Sequence, residues 1–190
     1  YLNGVFNENR VRTGIKWSHV KTKDMVHWLK LPDAVLPGQG ENPPDPYIWT
    51  GSVIEKDGTF YLFYTGKSIP GKEDPKGDQK AMLATSTDLI HFEKKKDFVL
   101  YADGEYYWNK NINGPLDPSL KIHNQRDESF RDPEVFWNEE AGEYWMLLHS
   151  RDAETQKHNF GLYRSDDLLN WDPRPALKTP NDEMHRRNID

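Results

Sequence analysis

One pattern recurs three times in this chain and limits what it can fold into. It reads Thr22–Lys23–Asp24–Met25–Val26–His27–Trp28, then Ser86–Thr87–Asp88–Leu89–Ile90–His91–Phe92, then Ser165–Asp166–Asp167–Leu168–Leu169–Asn170–Trp171. The three aspartates stand 64 and 79 residues apart. A Ser or Thr followed two places later by Asp caps a tight turn, because both side chains bond nearby backbone N–H groups. The apolar residue and the aromatic that follow are expected to pack inward. Asp24, Asp88 and Asp167 are therefore read as turn caps rather than as a catalytic set, since they hold the same place in a repeat. Strand-like stretches precede each copy, over 15–20, 81–85 and 160–164.

Two of the three copies follow a hairpin signal. Asp57–Gly58 separates Trp49–Lys56 from Thr59–Gly66, and Asp-Gly between apolar runs marks a two-residue hairpin. The later unit repeats this with Glu134–Asn138, a loop around Glu139–Gly142, and Glu143–His149. Each unit thus runs hairpin, linker, strand, capped turn, aromatic. Helical periodicity is absent apart from short turns. A four-stranded unit that recurs at tens of residues predicts an all-β chain with the blades of a β-propeller. A sandwich would give even turn spacing without the longer period. The expected units are an incomplete first blade over 1–36, a second over 47–100 and a third over 128–178. That is about two and a half to three blades, whereas propellers close with at least about four. Segments 37–46, 69–79 and 101–125 read as loops.

Composition sets the outer limits. Hydrophobic residues make up 35% of the 190 and aromatics 13%, so the core is expected to rest on Trp, Tyr and Phe. No apolar run approaches the roughly 20 residues that a membrane helix needs. A net charge of −6 without basic blocks argues against a nucleic-acid partner. The chain has no cysteine, so disulfides and thiolate chemistry are excluded. The compartment stays open, with secretion or a periplasmic location favoured. Seven histidines without H-E-x-x-H spacing predict no catalytic metal. No cofactor is expected. The opening Tyr1–Leu2–Asn3–Gly4 reads as the interior of a longer chain.

Chemistry concentrates at Phe130–Arg131–Asp132–Pro133–Glu134–Val135–Phe136–Trp137. Proline lacks an N–H and sits at strand starts or edges, so a strand is expected to begin near Glu134 with Arg131 and Asp132 at its mouth. Residue types alone leave two readings open: a turn with a surface ion pair, or a sugar-binding carboxylate oriented by its guanidinium.

Arg131–Asp132–Pro133 ahead of a V-F-W strand resembles the arginine–aspartate–proline motif of glycoside hydrolase family 32, the invertases, inulinases, levanases and related β-fructofuranosidases. Trp17–Ser18–His19–Val20 with Lys23–Trp28, Trp49–Thr50–Gly51–Ser52–Val53, and Ser165–Trp171 resemble further segments of that family in the same order. The resemblance covers nearly the whole chain. It implies a five-bladed propeller with a central funnel and a retaining two-carboxylate cleavage of β-fructosides such as sucrose, inulin or levan. Asp132 would stabilise the transition state with Arg131 in support. Trp49 and Ser52 would line the sugar pocket, and Trp17, His19 and Asn3 would contribute to substrate binding. The family's acid/base glutamate follows its Asp by about the spacing of Glu183, which stands 51 residues after Asp132; Asn188–Ile189–Asp190 is the other place where that segment could begin. The family's asparagine–aspartate–proline nucleophile motif is absent from these residues, and Leu2 stands where a sugar-contacting glutamine is usual. The alternatives are another furanosidase of the propeller superfamily, acting on arabinose or xylose glycans, and a non-catalytic carbohydrate-binding propeller.

Overall fold

The computed structural model describes residues 2–6, 12–41, 43–69, 71–72, 74–120 and 129–177, with side chains from residue 14 onward. Strands β1 (Leu2–Phe6) and β2 (Arg12–Trp17) pair antiparallel, and β3 (Val20–Thr22) and β4 (Trp28–Lys30) form a second short ribbon. Two four-stranded antiparallel meanders follow. The first is β5 (Tyr47–Lys56), β6 (Thr59–Lys67), β7 (Gln79–Ser86) and β8 (Glu93–Leu100). After a loop carrying the single turn of α1 (Lys110–Asn113), the second comprises β9 (Arg131–Asn138), β10 (Glu143–Arg151), β11 (His158–Ser165) and β12 (Asp172–Arg174). Neighbours in sequence are neighbours in each sheet, which is how propeller blades are strung.

Local chemistry explains the turns. Asp57 and Gly58 have φ of 50° and 76°, the pair of positive values that a type I′ hairpin requires. The three repeated turns close identically. Asp24 Oδ1 accepts the N–H of Val26 and His27, Asp88 Oδ1 those of Ile90 and His91, and Asp167 Oδ1 those of Leu169 and Asn170. The residue after each Asp is left-handed, with φ of 62° at Met25, 59° at Leu89 and 69° at Leu168. The aspartates are turn caps, as their repetition implied.

The inward packing expected of these turns is complete in the third and partial in the second, where Phe92 packs against a smaller core cluster. Leu168 is fully buried and Trp171 meets Phe63 edge-on at 5.7 Å, whereas Met25 and Trp28 are exposed and Leu89 is 40% exposed. The difference lies in what each turn faces: the third leans on the preceding four-stranded sheet, while the first belongs to a two-stranded ribbon that no described sheet covers.

Bonds to Asp167 also carry a pH signature. Burial alone would raise its carboxyl, but N–H groups of Asn170 and Leu169 outweigh it and push the group down to about 2. A carboxylate held low in the fold adds stability that is complete above its ordinary 3.8 and is lost as pH falls toward about 2. Asp167→Asn keeps an acceptor oxygen and cannot titrate. The loss of melting temperature between about pH 4 and about pH 2 is therefore expected to be shallower in this variant. Parallel curves for the two proteins would remove Asp167 from the acid response.

The main core lies between the two four-stranded sheets. Phe63 and Leu83 of the first meet Val135, Met146, Leu148 and Tyr163 of the second, and Phe130 seals one end. Each such side chain contributes about 1.5–3 kcal/mol through burial. The described part of the long connection, residues 101–120, is irregular as expected apart from α1, yet it is tied down: the buried Tyr107 hydroxyl accepts from Leu162 N at 2.6 Å and donates to Arg174 O. A second cluster joins Val35, Ile48, Leu62, Tyr64 and Met82, with Trp17 packed against it.

Strand β9 departs from expectation. It begins at Arg131 rather than near Glu134, so the whole Arg131–Asp132–Pro133 motif lies inside the sheet. The register explains how proline is tolerated there. Leu147 faces Glu134 and His149 faces Arg131, so three steps on β9 match two on β10. Asp132 and Pro133 form a β-bulge in which Pro133 owes no ladder bond.

Candidate active site

The site forms where β9 of one sheet runs beside β5 of the other. These two strands share no backbone ladder, and side chains join them instead. Ser52 Oγ donates to Pro133 O at 2.9 Å and accepts from Val135 N at 2.8 Å. Thr65 Oγ1 accepts from Asp132 N at 2.7 Å and donates to Thr50 O at 3.0 Å. The buried Gln79 accepts the N–H of Phe130 through Oε1 at 3.1 Å. Every backbone donor at the entry of β9 that carries such a bond is thus held from the neighbouring sheet.

This scaffold fixes an unfavourable backbone. Asp132 has φ of 59° and Ser129 of 42°. Left-handed non-glycine residues cost on the order of 1–3 kcal/mol each and collect at functional sites. Arg131 Nε lies 3.5 Å from Asp132 Oδ2, and its Nη1 donates to Ser129 Oγ at 3.3 Å. The Asp132 side chain keeps 43% of its area open. Burial of the remainder pushes the carboxyl above its ordinary value, against the pull of Arg131 and a hydrogen bond with Thr50. A carboxylate walled on one side, open on the other and flanked by a guanidinium can accept bonds from ligand hydroxyls.

His149, opposite Arg131 in the ladder, stacks on His158 with ring centroids 4.7 Å apart. Burial, with Arg131, His158 and Arg151 nearby, pushes His149 down to about 3, so it is neutral at ordinary pH. A neutral ring beside Arg131 leaves the guanidinium charge to Asp132.

The other expected residues fall as follows. Trp49 is half-buried in the matching bulge of β5, where the register skips between Ile48 and Gly51. Trp17 donates its indole N–H to Trp49 O at 3.0 Å. Ser52 lies beside the site, but its hydroxyl is engaged in the seam between sheets rather than turned toward a ligand. Removing that hydroxyl would leave the Val135 N–H unpaired in the interior, a cost of about 1–3 kcal/mol. Ser52→Ala is accordingly expected to lower the melting temperature measurably, and an unchanged melt would show that the seam does not depend on it. Asn3 pairs with Lys16 through the backbone of β1 and β2. His19, half-buried, meets Phe92 edge-on at 6.4 Å. Glu183 and the 188–190 segment lie outside the described residues. Arg131, Asp132, Trp49, Ser52 and Trp17 are therefore brought to one seam. Thr50, Thr65, Gln79 and His149 join them without any sequence signal beyond the first falling inside the Trp49–Val53 segment. Among the described residues no group of three or more His, Cys, Asp or Glu could hold a metal, and no helix is long and apolar enough to cross a membrane.

Successive four-stranded antiparallel meanders packed face to face define a segment of a β-propeller. Residues 5–187 match the glycosyl hydrolases family 32 N-terminal domain. The chain belongs to that family. Its sequence is 28% identical over 160 residues to a sucrose-6-phosphate hydrolase of Zymomonas mobilis, covering 82% of this chain and 26% of the relative. It is 29% identical over 177 residues to an insoluble β-fructofuranosidase isoenzyme of Arabidopsis thaliana, covering 93% of this chain and 28% of the relative. Among solved structures, sucrose-6-phosphate hydrolase from Lactobacillus gasseri superimposes with a TM-score of 0.65 at 26% identity, over 89% of this chain and 29% of that one. The chain thus spans little more than a quarter of the length of these relatives.

Proposed function

We propose that the protein is a retaining glycosidase that cleaves β-fructofuranosidic bonds of the sucrose, inulin or levan type. The observation that carries this reading is the backbone of Asp132, held at φ of 59° by Thr65 from the adjacent sheet with Arg131 alongside. Such an arrangement suits a carboxylate that grips two ring hydroxyls. Those bonds tighten as an oxocarbenium-like transition state gains positive charge, and a fixed anion needs no reorganisation to meet it. Asp132 is the transition-state stabiliser in this reading, Arg131 orients it, and Trp49 and Trp17 form an aromatic wall. Family membership and the names of the relatives support fructosides as the substrate class. Nucleophile and general acid would be two further carboxylates about 5–5.5 Å apart, the separation that gives retention; Glu183 is the candidate for the acid.

Release of fructose from sucrose or inulin by the full-length protein, followed by product chromatography, tests the reading. Binding of these sugars without release would favour the non-catalytic propeller, an outcome to which Leu2 gives some footing. Release of arabinose or xylose from plant glycans, with no action on fructosides, would move the substrate class to the neighbouring furanosidases.

A further inference from the structure

We propose that Lys67, clamped by Asp78, is a positioning residue that holds the indole of Trp49 as one wall of the sugar site. The inference rests on the fructoside reading above. It starts from the bulge in β5. Ile48 pairs with Gly66 and Gly51 with Tyr64, so Trp49 and Thr50 are the residues without a cross-strand partner. A ladder sets the direction of a side chain through its pairing, and a bulge gives up that control. Something outside the ladder has to hold the ring.

Lys67 supplies the hold. Its Nζ lies 4.9 Å from the centroid of the Trp49 ring and 3.2 Å from Asp78 Oδ2. Lysine normally extends its ammonium to water. Here the Lys67 side chain is only 15% exposed and that of Asp78 17%. Lys67 ends β6, paired with Tyr47 on one side and Gln79 on the other. Its backbone therefore belongs to the rigid middle of the sheet, and Asp78 stops the ammonium from swinging away. The backbone of Trp49 is pinned separately, since its carbonyl accepts the indole N–H of Trp17. A cation over one face of the indole leaves the opposite face for the C–H surface of a sugar ring. The same charge is not aimed at the sugar, because Asp78 takes it up. Lys67 thus acts through Trp49 and touches no reacting atom.

The test uses Lys67→Met and Lys67→Arg in the full-length protein with sucrose as the probe. For Lys67→Met, KM is expected to rise about five- to tenfold, the size of one partly desolvated cation–π contact, with kcat within about twofold of the parent. Lys67→Arg stacks on the same ring and is expected to restore most of the KM. Where Lys67→Met fails to fold because Asp78 loses this cation, the double variant Lys67→Met/Asp78→Asn removes both charges together and carries the same readout. An unchanged KM in a folded Lys67→Met or double variant overturns the inference, as does a kcat that falls in step with melting temperature. If Asp132→Asn abolishes turnover while Lys67→Met leaves KM alone, this inference fails and the fructosidase reading stands. If the parent protein neither cleaves nor binds fructosides, both fail.

Discussion

Asp132→Asn is expected to lower kcat on sucrose or inulin by about 10²–10³, the usual loss when one preorganised electrostatic partner of a transition state is removed. The substitution isolates charge from structure. Asparagine tolerates left-handed backbone better than almost any other residue that carries a side chain. It also matches the shape of aspartate, so the bulge at φ of 59° and the bond from its N–H to Thr65 should persist. Arg131 would lose its anionic neighbour but keep Ser129. The melting temperature is therefore expected to stay within about 1 °C of the parent, under the roughly 2–4 °C that 1 kcal/mol gives a domain of this size. Steady-state kinetics and a thermal melt on the same preparation check both halves. A variant that folds and turns over normally would remove Asp132 from the reaction.

The second large effect is on stability. Gly51 closes the bulge of β5 and lies against the partner strand so tightly that a Cβ there would sit 1.9 Å from Phe63 O and 2.7 Å from Tyr64 Cα. Both contacts are with backbone, so no side chain can turn aside to relieve them. Gly51→Ala is expected to cost at least ~3 kcal/mol, in the upper range for overpacking, and to lower the melting point by roughly 6–12 °C in a domain of this size. Because the same bulge carries Trp49 and Thr50, sugar binding should go with it. Chemical denaturation with sugar-binding measurements would check this. An alanine variant as stable as the parent would mean that the two strands do not approach as described.

What the sequence disclosed, and what it withheld, follow from the range over which each signal acts. Asp57–Gly58 and the three capped turns were legible because their bonding partners lie within three residues. The importance of Arg131–Asp132 was legible from the conjunction of charge, proline and a following apolar run. The bulge was not. Sequence rules place a proline ahead of a strand, whereas Pro133 sits inside β9 where the register skips a bond. The family resemblance implies a pocket hydroxyl at Ser52, beside Trp49. Its bonding partners stand 81 and 83 residues away, and no local pattern announces them. Thr65 and Gln79 carry no signal for the same reason, since the first looks like an ordinary strand residue and the second like the end of a loop. The exposure of Met25 and Trp28 was equally hidden, because burial of a turn depends on which sheet it faces.

The way the two sheets are stitched has a consequence for biosynthesis. Asp132 is aimed by Thr65, and β9 is tethered by Ser52 and Gln79, all of which come from the earlier meander. The later meander, formed alone, would present a carboxylate with nothing to hold its backbone in the costly left-handed state. The geometry of Asp132 therefore arises only when the two sheets dock, and on the proposed reading a half-assembled protein carries an acid that is present but idle.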